Sequence, residues 1–312
     1  RELIVNAIPE TLRHAISVGI GLFIAFLGLQ KAGLIVADPV TFVALGEFTP
    51  STLLAMGGIV IGGVLVARKV KGALFYAIVA VTLLSIPLGI TQLPEDFSLV
   101  SKPHSLEPVF FKLDFHSLLS PNMLIAIFSL VFMDIFDTLG TLVGTANKVG
   151  MVRPDGSIPK LKPAMMADAV GTTVGALLGT STTTTYAEST AGIAEGGRSR
   201  QPAAVVSGLF IVALFFAPFF LLVPGIATAG VLVIVGSFMF DAVKKIRFDD
   251  ITEAFPAFVT IITMPLTYSI AEGIVLGILA YVLLKLLTGK YRELNLTICI
   301  LSVLCILKYV FV

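Results

Sequence analysis

The chain has 312 residues, of which 56% are hydrophobic and only 13% are charged, and its mean hydropathy is +1.00. This composition leaves too little polar surface to cover a soluble globular protein of this size, so the chain is predicted to lie in a lipid bilayer. The formal net charge of +1 excludes the broad basic surface that nucleic-acid binding requires. The expected partners are therefore the lipid bilayer and a small molecule, and no nucleic acid.

Ten apolar stretches follow one another along the chain, and most are long enough to cross a hydrocarbon core about 30 Å thick as a helix. They cover residues 11–36, 51–67, 72–90, 121–148, 162–179, 202–223, 227–244, 255–269, 272–287 and 294–312. The predicted fold class is an all-α polytopic membrane protein. For the last stretch the sequence leaves open whether it spans the membrane or lies on its surface.

Lysine and arginine are concentrated in every second connection between these stretches. The basic clusters are Arg1 with Arg13, then Arg68, Lys69 and Lys71, then Lys148, Arg153, Lys160 and Lys162, then Arg198 and Arg200, then Lys244, Lys245 and Arg247, and finally Lys290 and Arg292. Because basic loops stay on the cytoplasmic side of a membrane, these connections are predicted to be inside. The long connection 91–120, whose charges balance, is predicted to be outside.

This alternation requires an unusual membrane crossing at residues 180–197. The basic connections on either side of residues 162–197 are both predicted inside, yet only one apolar stretch, 162–179, lies between them. The second crossing must be the polar segment 180–197, which is too polar to face lipid and must be buried in protein. An extended hydroxyl run followed by a half-helix from about Tyr186 is typical of a broken transmembrane segment that lines a cavity. The free backbone N–H groups at the start of the half-helix would point into that cavity.

Three carboxylates lie at membrane depth in this arrangement: Asp134, Asp137 and Glu188. Such groups are costly in a bilayer and usually mark the path of an ion or a substrate. Two aspartates on one helix face destabilise each other unless one is protonated or paired, which favours proton coupling. Glu188 is expected in the first turn of the half-helix, where a purely structural capping role is the alternative.

Other polar residues have structural alternatives as well. The positions Asp134, Asp137, Thr138, Thr141, Thr145 and Lys148 form one polar stripe on a helix, and its threonines could equally hold helices together by hydrogen bonds. Asp168 is expected to pair with a loop lysine. The glycines at 171, 175 and 179 predict a smooth packing face. The three histidines are dispersed, so no metal or cofactor site is predicted.

Acceptor carboxylates, threonine hydroxyls and backbone N–H groups suit a small planar ligand that presents both donors and acceptors. Three runs carry a family resemblance: FMDIFDTLGT at 132–141, GTSTTTTYAES at 179–189 with Gly-Gly-Arg at 196–198, and MPLTYSIAEG at 264–273. These runs resemble the AzgA-like branch of the nucleobase:cation symporter family, within the xanthine/uracil/vitamin C permease group. Members of this branch are hypoxanthine, adenine and guanine permeases, and the similarity extends over nearly the whole chain.

The resemblance implies where the substrate binds. In the family the eighth and tenth transmembrane segments hold the site, and Asp134 and Asp137 match the acidic positions of the eighth. Glu188 matches the glutamate of the tenth, with Tyr186 and Ala187 beside it. The predicted substrate-binding residues are therefore Asp134, Asp137, Thr138, Thr185, Tyr186, Ala187 and Glu188, with Asp134 and Asp137 also proton-coupling.

The resemblance also implies an architecture: fourteen segments in two inverted repeats of seven, forming a core domain that carries substrate and a gate domain. It assigns residues 1–90 and 224–289 to the gate, 91–120 to an external loop, 121–223 to the core with the broken segment 180–198, and 290–312 to a C-terminal apolar segment. Arg1 corresponds to a point just before the fifth segment, so the first four segments are expected to be absent from this chain. The implied function is proton-coupled uptake of purine nucleobases across the plasma membrane. The resemblance also implies a homodimer, and a transporter rather than an enzyme.

Three alternatives remain open at this point. An anion transporter or channel of related architecture is one, although Glu188 offers a carboxylate where an anion needs a positive group. An intramembrane aspartyl protease is disfavoured because two aspartates three residues apart on one helix do not flank a peptide bond. A transport-inactive fragment of a purine permease is the third.

Overall fold

The structure is a computed structural model, and it describes residues 8–92, 100–103, 105–113, 120–153, 157–186 and 188–311. Its elements in chain order are α1 (Glu10–Lys31), β1 (Ile35–Asp38), β2 (Phe42–Leu45), α2 (Pro50–Ala67), α3 (Ala73–Ser85), α4 (Pro121–Val149), α5 (Leu161–Leu178), α6 (Ser189–Ala194), α7 (Arg200–Phe215), α8 (Ala217–Leu221), α9 (Gly225–Phe240), α10 (Ile251–Leu266), α11 (Ile270–Leu287) and α12 (Leu296–Phe311). Short 3-10 turns cover Asp241–Lys245 and Tyr291–Glu293. The protein is predominantly helical, as the composition predicts.

Several helices are long and apolar enough to cross a membrane. Within the described residues these are Glu10–Lys31, Pro50–Ala67, Gly225–Lys245 and Ile270–Leu287, and four shorter apolar helices accompany them.

Capping residues in the local sequence determine where two of the helices begin. The hydroxyl of Thr49 accepts from the Thr52 N–H at 3.2 Å before α2, and that of Ser120 accepts from the Met123 N–H at 3.3 Å before α4. A proline follows each capping residue in the first turn, where its missing N–H costs nothing.

The predicted helical stretch 11–36 is wrong at its end. α1 ends earlier, Gly33 adopts a left-handed conformation with φ +73°, and β1 and β2 form an antiparallel hairpin. Asp38 closes the hairpin turn by accepting hydrogen bonds from the N–H groups of Thr41 and Val40 at 2.7 and 2.8 Å. These bonds hold the pKa of the Asp38 carboxyl below its usual value.

The predicted stretch 202–223 is also interrupted, between α7 and α8, where Pro218 has no backbone N–H to continue the helix.

The chain divides into two compact units. The first comprises the described residues of 1–23, 105–187 and 239–312. Within it α10 and α11 form a tight antiparallel pair, because a Cβ on Gly277 would overlap the side chain of Thr260. α4 packs against α11, where Gly140 faces Ile270 and Ile274. α4 also packs against α5 through a buried cluster of Leu139, Val143, Leu161 and Met165.

The second unit comprises the described residues of 24–104 and 188–238. Its core forms where small residues of three helices meet: Ala32, Ala55 and Ala229 are all buried. Gly230 of α9 lies against the backbone of Gly58 in α2, an approach that only a glycine permits. α7 has no buried side chain. The predicted gate and core boundaries stay a prediction.

Candidate functional site

The carboxylates of α4 lie beside the start of α11. Asp137 accepts a hydrogen bond from the backbone N–H of Ala271, the second residue of α11, and Ala271 is fully buried. Asp134 lies one turn away on α4, close enough for the two charges to interact, and both aspartates are half-buried. Because a helix begins with free N–H groups and a positive dipole end, this position favours an acceptor carboxylate or a negatively polarised ligand atom.

Residues 264–273, one of the three runs that carry the family resemblance, form the end of α10, the turn after it and the start of α11. The hydroxyl of Ser269 accepts from the N–H of Glu272 at 3.2 Å, which is the capping pattern of a serine followed three residues later by a glutamate. Tyr268, just before the cap, has φ +56° and turns the chain from α10 into α11. This Ser-x-x-Glu pattern is the signal in the sequence for the start of α11.

Thr138 and Asp168 form a second polar contact, which joins α4 to α5. The Thr138 hydroxyl is fully buried and donates to Asp168 Oδ2 at 3.0 Å. Asp168 itself is only 7% exposed. Within the described residues it has no lysine partner, so the structure differs from the expected loop ion pair. Asp168 is thus a buried carboxylate that was not predicted to belong to the site.

The hydroxyl run packs along α5 without forming a helix or strand over residues 180–186. Thr172 donates to the carbonyl oxygen of Thr183 at 2.7 Å, and a Cβ on Gly175 would approach the Thr183 hydroxyl to 2.7 Å. The predicted glycine packing face is therefore confirmed at Gly171 and Gly175, which both lie against Thr183 of the hydroxyl run. Thr184 Oγ1 lies 3.3 Å from Thr138 Oγ1. The run consequently adjoins the Thr138–Asp168 contact.

The remaining site residues are placed separately. Thr185 is half-buried, and its hydroxyl oxygen has no hydrogen-bond partner within the described residues. Tyr186 is exposed, and Ala187 lies outside the described residues. Glu188 belongs to the second unit, where it is exposed and stands at the N-cap of α6 without a side-chain capping bond. α6 begins at Ser189, slightly later than the helix start predicted at about Tyr186.

Two threonines of the polar stripe have a structural role. Thr141 donates to the carbonyl oxygen of Asp137 at 2.9 Å, and Thr145 donates to the carbonyl oxygen of Thr141. Both hydroxyls are thus satisfied by their own helix and offer little to a ligand. Asp137 and Thr138 of the stripe contact polar groups of other elements, while the side chain of Lys148 lies outside the described residues.

An apolar helical protein that buries carboxylates, hydroxyls and a helix start among its helices has the properties of a solute transporter. A sequence model of the permease family matches residues 1–276, and the chain belongs to this family. It is therefore an integral membrane transporter rather than an enzyme.

Named relatives cover almost all of this chain. A permease-like protein of Methanocaldococcus jannaschii is 46% identical over 312 residues, which is 100% of this chain and 71% of the relative. The adenine permease AdeP of Escherichia coli is 39% identical over 306 residues, 98% of this chain and 68% of AdeP. The guanine/hypoxanthine permease PbuO of Bacillus subtilis is 38% identical over 310 residues, 97% of this chain and 71% of PbuO.

Proposed function

We propose that this protein takes up the purine nucleobases adenine, guanine and hypoxanthine across the plasma membrane together with protons. The names of the relatives, two adenine permeases and two guanine/hypoxanthine permeases at 37–39% identity, support the substrate class. The observation that carries the proposal is the position of Asp137, held beside Asp134 and Thr138 at the buried start of α11.

The chemistry of these groups matches a purine base. A purine presents ring N–H donors next to ring nitrogens and exocyclic groups, and an ionised carboxylate accepts from such N–H groups strongly. The Thr138 hydroxyl already donates its hydrogen bond to Asp168, so it offers a ligand only its acceptor lone pairs. The Thr185 hydroxyl has no hydrogen-bond partner among the described residues, so it can donate to a ring nitrogen or carbonyl. Tyr186, Ala187 and Glu188 complete the proposed site on the basis of the sequence pattern.

Anion transport is disfavoured by the same geometry. The start of α11 is the type of position where an anion would bind, but the Asp137 carboxylate already accepts the Ala271 N–H there. A transported anion would meet a second negative charge at Asp134. Sulfate is therefore the useful negative control for substrate class.

Uptake by a host strain without its own purine-base transport tests the proposal. Labelled hypoxanthine, guanine and adenine should enter, and uracil and sulfate should not. Asp137→Asn and Glu188→Gln should each lower purine uptake by about tenfold or more at unchanged surface amount, because an amide cannot replace a charged acceptor. Asp241→Asn is the matched control, since Asp241 is an exposed carboxylate paired with Lys244. Entry of sulfate or uracil without purine would overturn the substrate assignment.

The architecture is part of the same proposal: residues 180–197 cross the membrane as a broken segment, within an inverted-repeat fold of core and gate domains that assembles as a homodimer. Impermeant thiol labelling from outside tests the crossing, after the native cysteines are replaced by serine. Pro103→Cys should be labelled, whereas Arg153→Cys and Arg200→Cys should be protected. Labelling at 200 but not at 103 would contradict the broken segment.

A further inference from the structure

Only one of the two carboxylate oxygens of Asp168 accepts a hydrogen bond within the described residues. Asp168 is 7% exposed, and its Oδ2 accepts the Thr138 hydroxyl at 3.0 Å. Its Oδ1 is fully buried and has no hydrogen-bond partner within the described residues. A buried, ionised carboxylate with one unpartnered oxygen is costly, whereas a proton on either of its oxygens removes the charge.

Within the part of the chain that the structure describes, no charged group on the elements around α5 is paired with Asp168. The charged and titratable groups on α4, on the hydroxyl run, in the segment 105–113, and in the connection before α5 are Asp134, Asp137, Lys148, Tyr186, Glu107, Lys112, Arg153, Asp155 and Lys160. Of those whose side chains are described, none forms a hydrogen bond or ion pair with Asp168. A proton is therefore the cation that fits, because the described residues around Asp168 offer one carboxylate and two hydroxyls, fewer oxygens than the six or so that a hard metal ion takes.

The donor and acceptor roles of the hydroxyl groups around Asp168 are fixed. A threonine hydroxyl has a single proton, and that of Thr138 is donated to Asp168. The 3.3 Å contact between Thr138 and Thr184 must then have Thr184 as its donor. Thr184 is half-buried and lies in the run whose neighbours 181–183 are exposed. The donor chain thus runs from the accessible run, through Thr184 and Thr138, to the buried carboxylate.

We propose that Asp168 binds the proton that is co-transported with the purine base, and that Thr184 and Thr138 deliver it. The inference rests on the proposed function and deepens it, because Asp137 already has a backbone donor while Asp168 Oδ1 has none. In the transfer, one O–H bond of a hydronium ion breaks and one O–H bond forms on Asp168 Oδ2, the oxygen that accepts from Thr138. Each hydroxyl gives one proton and receives one, so the threonines are unchanged and a water is released.

The test uses purified protein in liposomes with an inward proton gradient of two pH units. With one proton per base, wild type should accumulate labelled hypoxanthine by up to about 100-fold, since each pH unit is worth tenfold. Asp168→Asn mimics the neutral carboxyl, so it should still equilibrate hypoxanthine while its accumulation ratio falls to about 1. Asp168→Glu should recover part of the gradient response. Addition of hypoxanthine should alkalinise the outside medium with wild type and not with Asp168→Asn.

Two variants of Thr184 test the proposal if Asp168→Asn does not fold. Thr184→Val breaks the donor chain and should slow proton-driven accumulation, and Thr184→Ser should restore it. Thr173→Val is the matched control, because Thr173 is an exposed threonine of α5 whose hydroxyl donates to its own helix at Ala169. Wild-type accumulation by Asp168→Asn or Thr184→Val overturns the inference, as does accumulation by wild type that follows sodium. Absence of any purine transport by wild type would instead refute the proposed function.

Discussion

Replacement of Lys285 by methionine should strongly destabilise the protein. Lys285 on α11 is fully buried, and its Nζ lies 2.9 Å from Glu253 Oε1 on α10 and 2.5 Å from Glu293 Oε2. Methionine keeps the length and apolar stem of the side chain, so little packing is lost. The variant leaves the Glu253 carboxylate, which is 8% exposed, without its cation.

The magnitude follows from the burial of the two glutamates. Breaking a buried ion pair by removing one partner costs about 3–5 kcal/mol. Glu293 adds little to this cost, because its side chain is 52% exposed and remains solvated. Glu253 lies in the first turn of α10, where the helix dipole offsets roughly 0.3–1 kcal/mol of the loss. We therefore expect a decrease of about 3 kcal/mol in the free energy of unfolding.

Unfolding by SDS in mixed micelles measures this free energy. Lys244→Met is the matched control, because Lys244 pairs with Asp241 at 2.6 Å but both side chains are exposed. It should cost about 0–1 kcal/mol. The double variant Lys285→Met with Glu253→Gln removes both buried charges and should recover much of the stability. Equal small effects of the two lysine variants, or a double variant less stable than Lys285→Met alone, would refute the reasoning.

Two further predictions also concern the stability of the fold. Gly277→Ala should destabilise by roughly 1–3 kcal/mol because its Cβ overlaps Thr260, whereas Gly57→Ala, with no atom within 4 Å, should be neutral or slightly stabilising in the same titration. Hydrogen bonds from Lys290 and Thr252 lower the pKa of Asp250, so this carboxylate stabilises the fold above its unfolded pKa of about 3.9 and the contribution is lost as the pH falls below it. The difference in Tm between wild type and Lys290→Gln should accordingly be constant from about pH 5 to 8 and shrink below about pH 4, and a difference that grows in acid would contradict the assignment.

Local sequence predicts the helices well, because their signals lie within a few residues of each other. The stretch 121–148 corresponds closely to α4, whose start is fixed by Ser120 with its following proline and whose end is fixed by Gly150 in a left-handed conformation. The hairpin after α1 was missed, since its apolar β-branched residues continue the helical stretch without a change in hydropathy. Its turn residues, Asp38 followed by a proline, were the available signal.

The site was predicted only in part, because its contacts join residues that are far apart in the chain. Helical periodicity places Asp137 and Thr138 on a polar face, but it cannot identify the neighbouring helix. The Ala271 donor to Asp137 and the Asp168 acceptor for Thr138 both depend on how α4 packs against α11 and α5. The ion pair of Lys285 with Glu253 was missed for the same reason, since it requires the register of α10 against α11.

Gradient-driven transport by the purified protein tests the central claim most directly. In liposomes with an inward proton gradient, labelled adenine, guanine and hypoxanthine should accumulate, each should compete with the others, and a protonophore should abolish the accumulation. Uracil and sulfate should neither accumulate nor compete. Accumulation that follows a sodium gradient, that ignores both gradients, or that favours sulfate over the purines would contradict the account.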